Sequence, residues 1–246
     1  MKFFLDGQKG YLIEEESVLF DKKDDFFEKV SRGVKVKGCT IRDDKGDKDR
    51  YLSFFVSEVR DSKYHSELVD EVVDFLSPHE KVRSILCCGI GNPYVTCDSL
   101  GSETVKLMST RRVDGLKLVV AMPYGLTGIQ SKSLIRSLVK SQGVDMCIII
   151  DSLCTRSYDK IGKTFQFTDS GIVAGSAVGG DNLMDDNVFG VPVIAVGVPT
   201  VIRSSVEIDN DKIDKLLTPT DVKTVVDSAS NILSEVIIGV AKRILR

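Results

Sequence analysis

A chain of 246 residues, 42% hydrophobic and 28% charged, has the composition of an ordinary globular protein able to bury one sizeable core. Its formal net charge of −3 leaves no cationic footprint and excludes direct nucleic-acid binding as a first reading. No apolar run reads as long enough for a bilayer, and Asp6 interrupts the amino-terminal apolar stretch, so neither a membrane partner nor a secretory signal is expected and the simplest location is cytoplasmic.

Residues 1–30 are mixed and predict a peripheral strand and helix around the charged cluster Asp21–Asp25. Val34, Val36 and Ile41, then Tyr51 to Ser57, flank the polar turn beginning at Asp43 and predict a hairpin at one end of a mixed sheet. From Ser62, apolar residues recur at three- and four-residue steps (Leu68, Val69, Val72, Val73, Leu76), a helix closed by Ser77-Pro78. Val82 to Gly91 predicts the first central strand. It opens onto Gly89-Ile-Gly-Asn and Asp98, where helical spacing through Leu100, Thr104, Leu107 and Met108 begins.

Leu116 to Met122 is a second strand, followed by the loop Pro123-Tyr-Gly-Leu-Thr-Gly and a helix capped by Ser131 and stopped by Gly143. Met146 to Ile150 is too short an apolar run for a globular helix and fits a strand buried on both faces, with Asp151 placed where it stops. Thr164 to Thr168 alternates as a short strand. The glycine-rich stretch from Asp169 to Asn182 predicts an irregular loop, and such loops are more often functional than accidental. Val191 to Val201 is another buried strand, with Pro199 ending its regular pairing. Thr218, Pro219 and Asp221 then open a long core helix. The strand–helix alternation predicts an α/β fold: a mostly parallel, mixed central sheet with helices on both faces. The expected organisation is one domain over residues 1–246, with residues 1–60 peripheral and 82–246 forming the core.

Asp98 and Asp151 both follow central strands, and the carboxyl edge of such a sheet is where ligands bind. Two carboxylates in a partly dry cleft cannot both ionise easily; one keeps a proton while the other serves as base. That pair could activate water and protonate a departing amine. The plainer reading is that Asp98 caps the helix after it and Asp151 caps a turn. Gly89, Gly91 and Asn92 could present backbone amides to an anion, although a dinucleotide fingerprint is incomplete here. Of the six cysteines, Cys87, Cys88 and Cys147 read as small core hydrophobes, and no C-x-x-C pair occurs. Cys97 and Cys154 lie beside the two aspartates, but the only histidines, His65 and His79, are near neither in sequence.

Gly89-Ile-Gly-Asn-Pro-Tyr-Val-Thr-Cys-Asp-Ser-Leu-Gly resembles the strand-to-helix segment of the germination protease family. Gly125-Leu-Thr-Gly-Ile-Gln-Ser, Ile150-Asp-Ser-Leu-Cys-Thr-Arg-Ser, Thr168-Asp-Ser-Gly-Ile, the Gly190–Val201 run and Leu217-Thr-Pro-Thr-Asp-Val resemble its further blocks, in the same order. The resemblance implies a phosphorylase/hydrogenase-like α/β fold and an atypical aspartic endopeptidase that degrades small acid-soluble spore proteins at germination. It places the catalytic pair on Asp98 and Asp151, with no cofactor and no metal. Gly89, Gly91, Asn92, Thr127, Gly128, Arg156, Asp169, Ser170 and Gly171 are the residues expected to line the cleft. Family members are made as oligomeric zymogens, which implies a homo-oligomer, a tetramer in the family, and spore localisation. Two other readings remain: a catalytically silent relative that binds a partner, and a metal-dependent hydrogenase-maturation endopeptidase, whose Gly-Ile-Gly-Asn-Pro segment is similar. The latter needs a late metal-binding histidine, and none follows His79.

Overall fold

The computed structural model describes residues 25–31, 34–42, 48–56, 65–77, 82–174, 182–208 and 211–245. The strands are β1 (Asp25–Ser31), β2 (Val34–Arg42), β3 (Lys48–Phe55), β4 (Ile85–Ile90), β5 (Leu116–Ala121), β6 (Met146–Thr155), β7 (Thr164–Thr168), β8 (Ile172–Ala174), β9 (Asn182–Met184), β10 (Val193–Ile208) and β11 (Asp211–Leu217). The helices, numbered in chain order, are α1 (His65–Leu76), α2 (Leu100–Met108), α3 (Tyr124–Thr127), α4 (Ser131–Gln142), α5 (Asp186–Phe189) and α6 (Val222–Ile244).

Nine strands form one mixed sheet in the order β1-β2-β3-β7-β10-β6-β4-β5, with β11 paired to β10. The pairs β10–β6, β6–β4 and β4–β5 are parallel, while β1, β2, β3 and β7 join antiparallel. Leaving β4, the chain moves outward to β5 through α2 and returns through α4 to β6 on the far side of β4. Two right-handed crossovers on opposite faces produce that path. One face buries Ile85, Ile148, Ile150, Val196 and Val198 against Leu68, Leu100, Met108, Leu233 and Val236 of α1, α2 and α6. The other buries Leu86, Cys88, Cys147 and Ile149 against Ile135 and Val139 of α4. This is the α/β sandwich that the strand–helix alternation predicts.

Several local expectations change. The final helix begins at Val222, so Thr218 and Pro219 precede it; Asp221 occupies the cap position with no side-chain bond. Helix α6 is 23 residues long with a window of mean hydropathy 1.3, long and apolar enough by composition to pass for a membrane span. Its apolar face instead lies in the core against the sheet, including Ala229, Leu233, Val236 and Ile237. Ser131 does not cap α4; its hydroxyl donates back to the carbonyls of Ala121 and Met122 at the end of β5, at 3.4 and 3.1 Å. Gly143 does stop that helix, in the left-handed region at φ 56°.

Pro199 does not end β10. Its missing N–H falls at a register shift between Pro199 and Val201, so the strand continues to Ile208 and turns back as β11, which the sequence reading did not foresee. The stretch after Thr168 is not wholly irregular, because Ile172 and Met184 anchor the short β8–β9 pair in the second core face. The first 24 residues, the hairpin turn at 43–47 and residues 175–181 lie outside the described residues.

Candidate active site

Beyond Ile150, strand β6 continues to Thr155 rather than stopping, because β10 goes on pairing with it: Gly197 lies opposite Asp151, and Ile202 opposite Thr155. Strand β4 does end there, at Ile90. Asp151 therefore stands beside the end of β4 on the reach of β6 that outruns it. The chain leaving β4 turns at Gly91, forms one 3₁₀ turn over Thr96–Asp98, and enters α2. That turn packs against both β6 and β10. Because the path reverses between β4 and β6, this is the crevice at which open α/β sheets admit ligands.

Glycines permit the close approach. A Cβ on Gly101 would stand 2.5 Å from the carbonyl oxygens of both Ile150 and Ile90, and one on Gly89 would stand 2.1 Å from the Gly101 carbonyl oxygen. The first turn of α2 thus rests directly on the backbones of β4 and β6. Gly91 has φ +105°, and a side chain there would meet the Asp98 carbonyl at 2.2 Å and its Oδ1 at 3.1 Å. Neither an anion site nor a dinucleotide turn is needed to account for these glycines.

Asp98 is not the cap of α2; Ser99 holds that position, without a side-chain bond. The Asp98 Oδ2 accepts the Asn92 N–H at 2.6 Å and closes the Gly91–Asp98 loop on itself. Asp151 Oδ1 accepts the Ser152 N–H at 2.8 Å. Among the described residues, the second oxygen of each carboxylate has no protein partner. Thr200 on β10 donates its hydroxyl to the Cys97 carbonyl at 2.6 Å and pins the Asp98 turn to the sheet.

Burial is the first cause, and the charge of Asp98 the second, that pushes the Asp151 carboxyl up to about 8. Burial also raises Asp98, while the Asn92 amide opposes the rise. The two groups feel each other directly, and Asp98 ionises first. With its carboxyl pushed to about 8, Asp151 favours the protonated form at neutral pH. Burial and then the Asp98 charge raise the Cys97 thiol, which keeps it protonated rather than a thiolate nucleophile. Cys87, Cys88 and Cys147 are buried core groups, with the last two sulfurs 3.9 Å apart. No three His, Cys, Asp or Glu side chains converge as a metal site among the described residues.

The remaining expected cleft residues divide. Gly89, Gly91 and Asn92 build the Asp98 loop. Thr127 ends the short helix α3 that follows β5 and Gly128 caps it, both on the same edge and exposed, with the Thr127 hydroxyl accepting the Ile129 N–H at 3.1 Å. Arg156 is exposed just beyond β6. Asp169, Ser170 and Gly171 are elsewhere. Strand β7 runs antiparallel to β10 with Gln166 opposite Gly197 and Thr168 opposite Ala195, so Asp169 leaves at the opposite sheet edge. At about 3.3 Å per residue it is roughly 10 Å below the level of Asp151. Its carboxylate receives the Arg50 N–H and Nε–H, each at 2.6 Å, while Arg50 Nη1 reaches the Phe75 carbonyl at 2.6 Å. Ser170 is buried against Thr168 and Tyr51. Gly171 packs at φ +82° on Met184 and Asp185.

The sequence reading missed Gly101, Gly197 and Thr200. Ser53, Gln166, Gly197 and Asp151 lie opposite one another across four strands and share one face, with Leu153 filling the space over Gly197. The sequence signal for Gly197 and Thr200 was a glycine and a threonine inside the buried run Val193–Val201, and that for Gly101 was its place at the end of the Gly89–Gly101 segment.

The sequence model of the germination protease family matches residues 14–238. The germination protease of Clostridium perfringens (strain ATCC 13124) is 31% identical over 236 residues, covering 84% of this chain and 70% of that protein. That of Bacillus licheniformis is 34% identical over 215 residues, covering 75% of this chain and 57% of the relative. That of Priestia megaterium is 33% identical over 217 residues, covering 77% and 58%. The chain thus spans under two thirds of the latter two. A solved NiFe hydrogenase maturation protease, HycI of Thermococcus kodakarensis KOD1, aligns with TM-score 0.42 at 16% identity, over 68% of this chain and 99% of that one. By the family match and the identity to its members, this chain belongs to the germination protease family, a family of spore-germination endopeptidases.

Proposed function

We propose that the chain is a metal-independent aspartic endopeptidase that cuts small acid-soluble spore proteins during germination, with Asp98 and Asp151 as its catalytic pair. The observation that carries this reading is the electrostatic pairing of two carboxyls, each tied by one oxygen to a backbone amide, with Asp151 pushed to about 8. Asp98, ionised, takes a proton from water as that water attacks the scissile carbonyl carbon. Asp151, protonated at neutral pH, donates to the carbonyl oxygen as negative charge develops there. When the C–N bond breaks, the proton held by Asp98 passes to the departing amine. The carbonyl re-forms and Asp151 recovers its own proton.

The test is incubation of the purified protein with a small acid-soluble spore protein, with and without a chelator. Fragments in both reactions are expected. Loss of cleavage in chelator refutes metal independence, and intact substrate in both refutes peptidase activity and favours a silent, binding relative.

A further inference from the structure

Strand β6 carries a hydroxyl that the fold itself does not use. The Oγ of Ser152 is closed off from solvent and has no hydrogen-bond partner among the described residues. Native structures leave few buried polar atoms in that state, and each calls for a physical account. Alternation along the strand fixes the face that Ser152 occupies. Ile148 and Ile150 pack under α1, α2 and α6, while Cys147 and Ile149 pack under α4. Asp151 therefore belongs to the α4 side of the sheet and Ser152 to the α2 side.

The contacts of the Asp98 turn show what lies over Ser152. The sheet order there is β10-β6-β4, so β6 is the middle strand. On the β10 side, Thr200 holds the Cys97 carbonyl at 2.6 Å, two residues beyond Val198, which is opposite Ser152. On the β4 side, Asp98 accepts the Asn92 N–H, and a Cβ on Gly91 would meet its carbonyl oxygen at 2.2 Å. The chain from Cys97 to Asp98 thus crosses β6 just beyond Ile150, whose carbonyl already lies against Gly101 of α2. On that face, the next side chain of β6 after Ile150 is Ser152.

We propose that Ser152 is a positioning residue for the base, its hydroxyl donating a hydrogen bond to the ionised Asp98 carboxylate at the oxygen that Asn92 leaves open. The proposal rests on the aspartic-peptidase reading, in which Asp98 must be ionised to take a proton from water. Because solvent does not reach the Ser152 Oγ, the bond is direct, and rotation about Cα–Cβ to another staggered position re-aims the hydroxyl. A donor to the charged form favours that form and so opposes the burial that raises Asp98. Ser152 then serves both carboxyls, since its N–H already donates to Asp151 Oδ1 at 2.8 Å. The ionisable groups facing Asp98 are Asp151 from β6 and Cys97 of its own turn. On the elements packed against that turn, Glu103 of α2 pairs with Lys106, Lys223 of α6 pairs with Asp227, and β10 brings Arg203. All of them stay in place when Ser152 is replaced.

The test compares the native chain with Ser152→Ala and Ser152→Thr. Cleavage of a small acid-soluble spore protein is followed against pH, and the Asp98 carboxyl, assigned with Asp98→Asn, is titrated by carbon-13 NMR. With alanine, the acid limb of kcat/KM and the Asp98 titration are both expected to move up by about one pH unit, about tenfold in rate below the limb. Stability in urea is expected to stay unchanged, because an orphaned hydroxyl has no bond to lose. Threonine keeps the hydroxyl and is expected to restore both curves. An unmoved Asp98 titration in the alanine variant overturns the proposal, and a loss of stability with both curves in place marks the hydroxyl as structural instead. A threonine variant that titrates like the alanine one, its fold confirmed by near-ultraviolet circular dichroism, overturns it as well. Absence of cleavage by the native chain would defeat the peptidase reading, while the NMR titration would still decide what Ser152 does.

Discussion

Replacing Asp151 with asparagine removes one titrating carboxyl at nearly constant volume, and the consequence for stability can be worked out from its environment. In the unfolded chain the group ionises near its ordinary 3.8; in the folded protein it holds its proton to about 8. Between those pH values the folded state binds one more proton than the unfolded state, so stability falls as pH rises through that window. At about 1.4 kcal/mol per pH unit, the interval of about four units corresponds to on the order of 5 kcal/mol. Asparagine does not ionise and is free of this loss. Urea unfolding of both proteins from pH 4 to pH 9 measures the effect. Groups common to both largely cancel in the difference between the two curves. The substituted protein is expected to gain on the native one steadily with pH, reaching several kcal/mol by pH 8. Parallel curves would refute the account, because they would mean that Asp151 is neither desolvated nor burdened by the charge of Asp98.

Gly101→Ala tests the contact beneath Asp98: alanine in an exposed helix would be worth up to about 1 kcal/mol, but here its Cβ meets two backbone oxygens at 2.5 Å. A net destabilisation of about 2 kcal/mol or more in denaturant is expected, and a neutral or stabilising result would mean that α2 does not rest on the sheet. Thr200→Val removes the hydroxyl bond to the Cys97 carbonyl, so a loss of about 1–3 kcal/mol together with slower cleavage is expected. Unchanged values for both would show that the Asp98 turn is held elsewhere. Asp169→Ala breaks the fork with Arg50, and should lower thermal stability while leaving cleavage of folded protein intact; loss of cleavage with stability retained would return Asp169 to the active site.

The architecture was legible because burial on both faces leaves a plain signature. Met146–Ile150 and Val191–Val201 read as strands in this way, the partly buried edge strand at Leu116–Met122 read as one from its short apolar run, and the helices between them fixed the parallel order. The neighbourhood of Asp98 and Asp151 followed, since two strands at one sheet edge bring distant residues together. What local sequence did not carry was anything set by a partner strand. Strand β6 outruns β4 because β10 stays paired with it, and Pro199 is tolerated because its missing N–H falls at a register shift. Asp169 resembled a cleft residue from its glycine-rich surroundings, but β7 runs antiparallel and carries it to the other edge, where Arg50, 119 positions earlier, claims its carboxylate. Asp98 matched a helix cap by position, and the loop glycine at 91 diverted its carboxylate to the Asn92 amide instead. In each case a tertiary pairing outweighed a sound local preference.

Cleavage of a small acid-soluble spore protein by the native chain and by Asp98→Asn, side by side near neutral pH and with near-ultraviolet circular dichroism confirming the fold, tests the proton-sharing pair most directly. Loss of the base is expected to slow cleavage by about a thousandfold or more. An asparagine variant that cuts as fast as the native chain would contradict it.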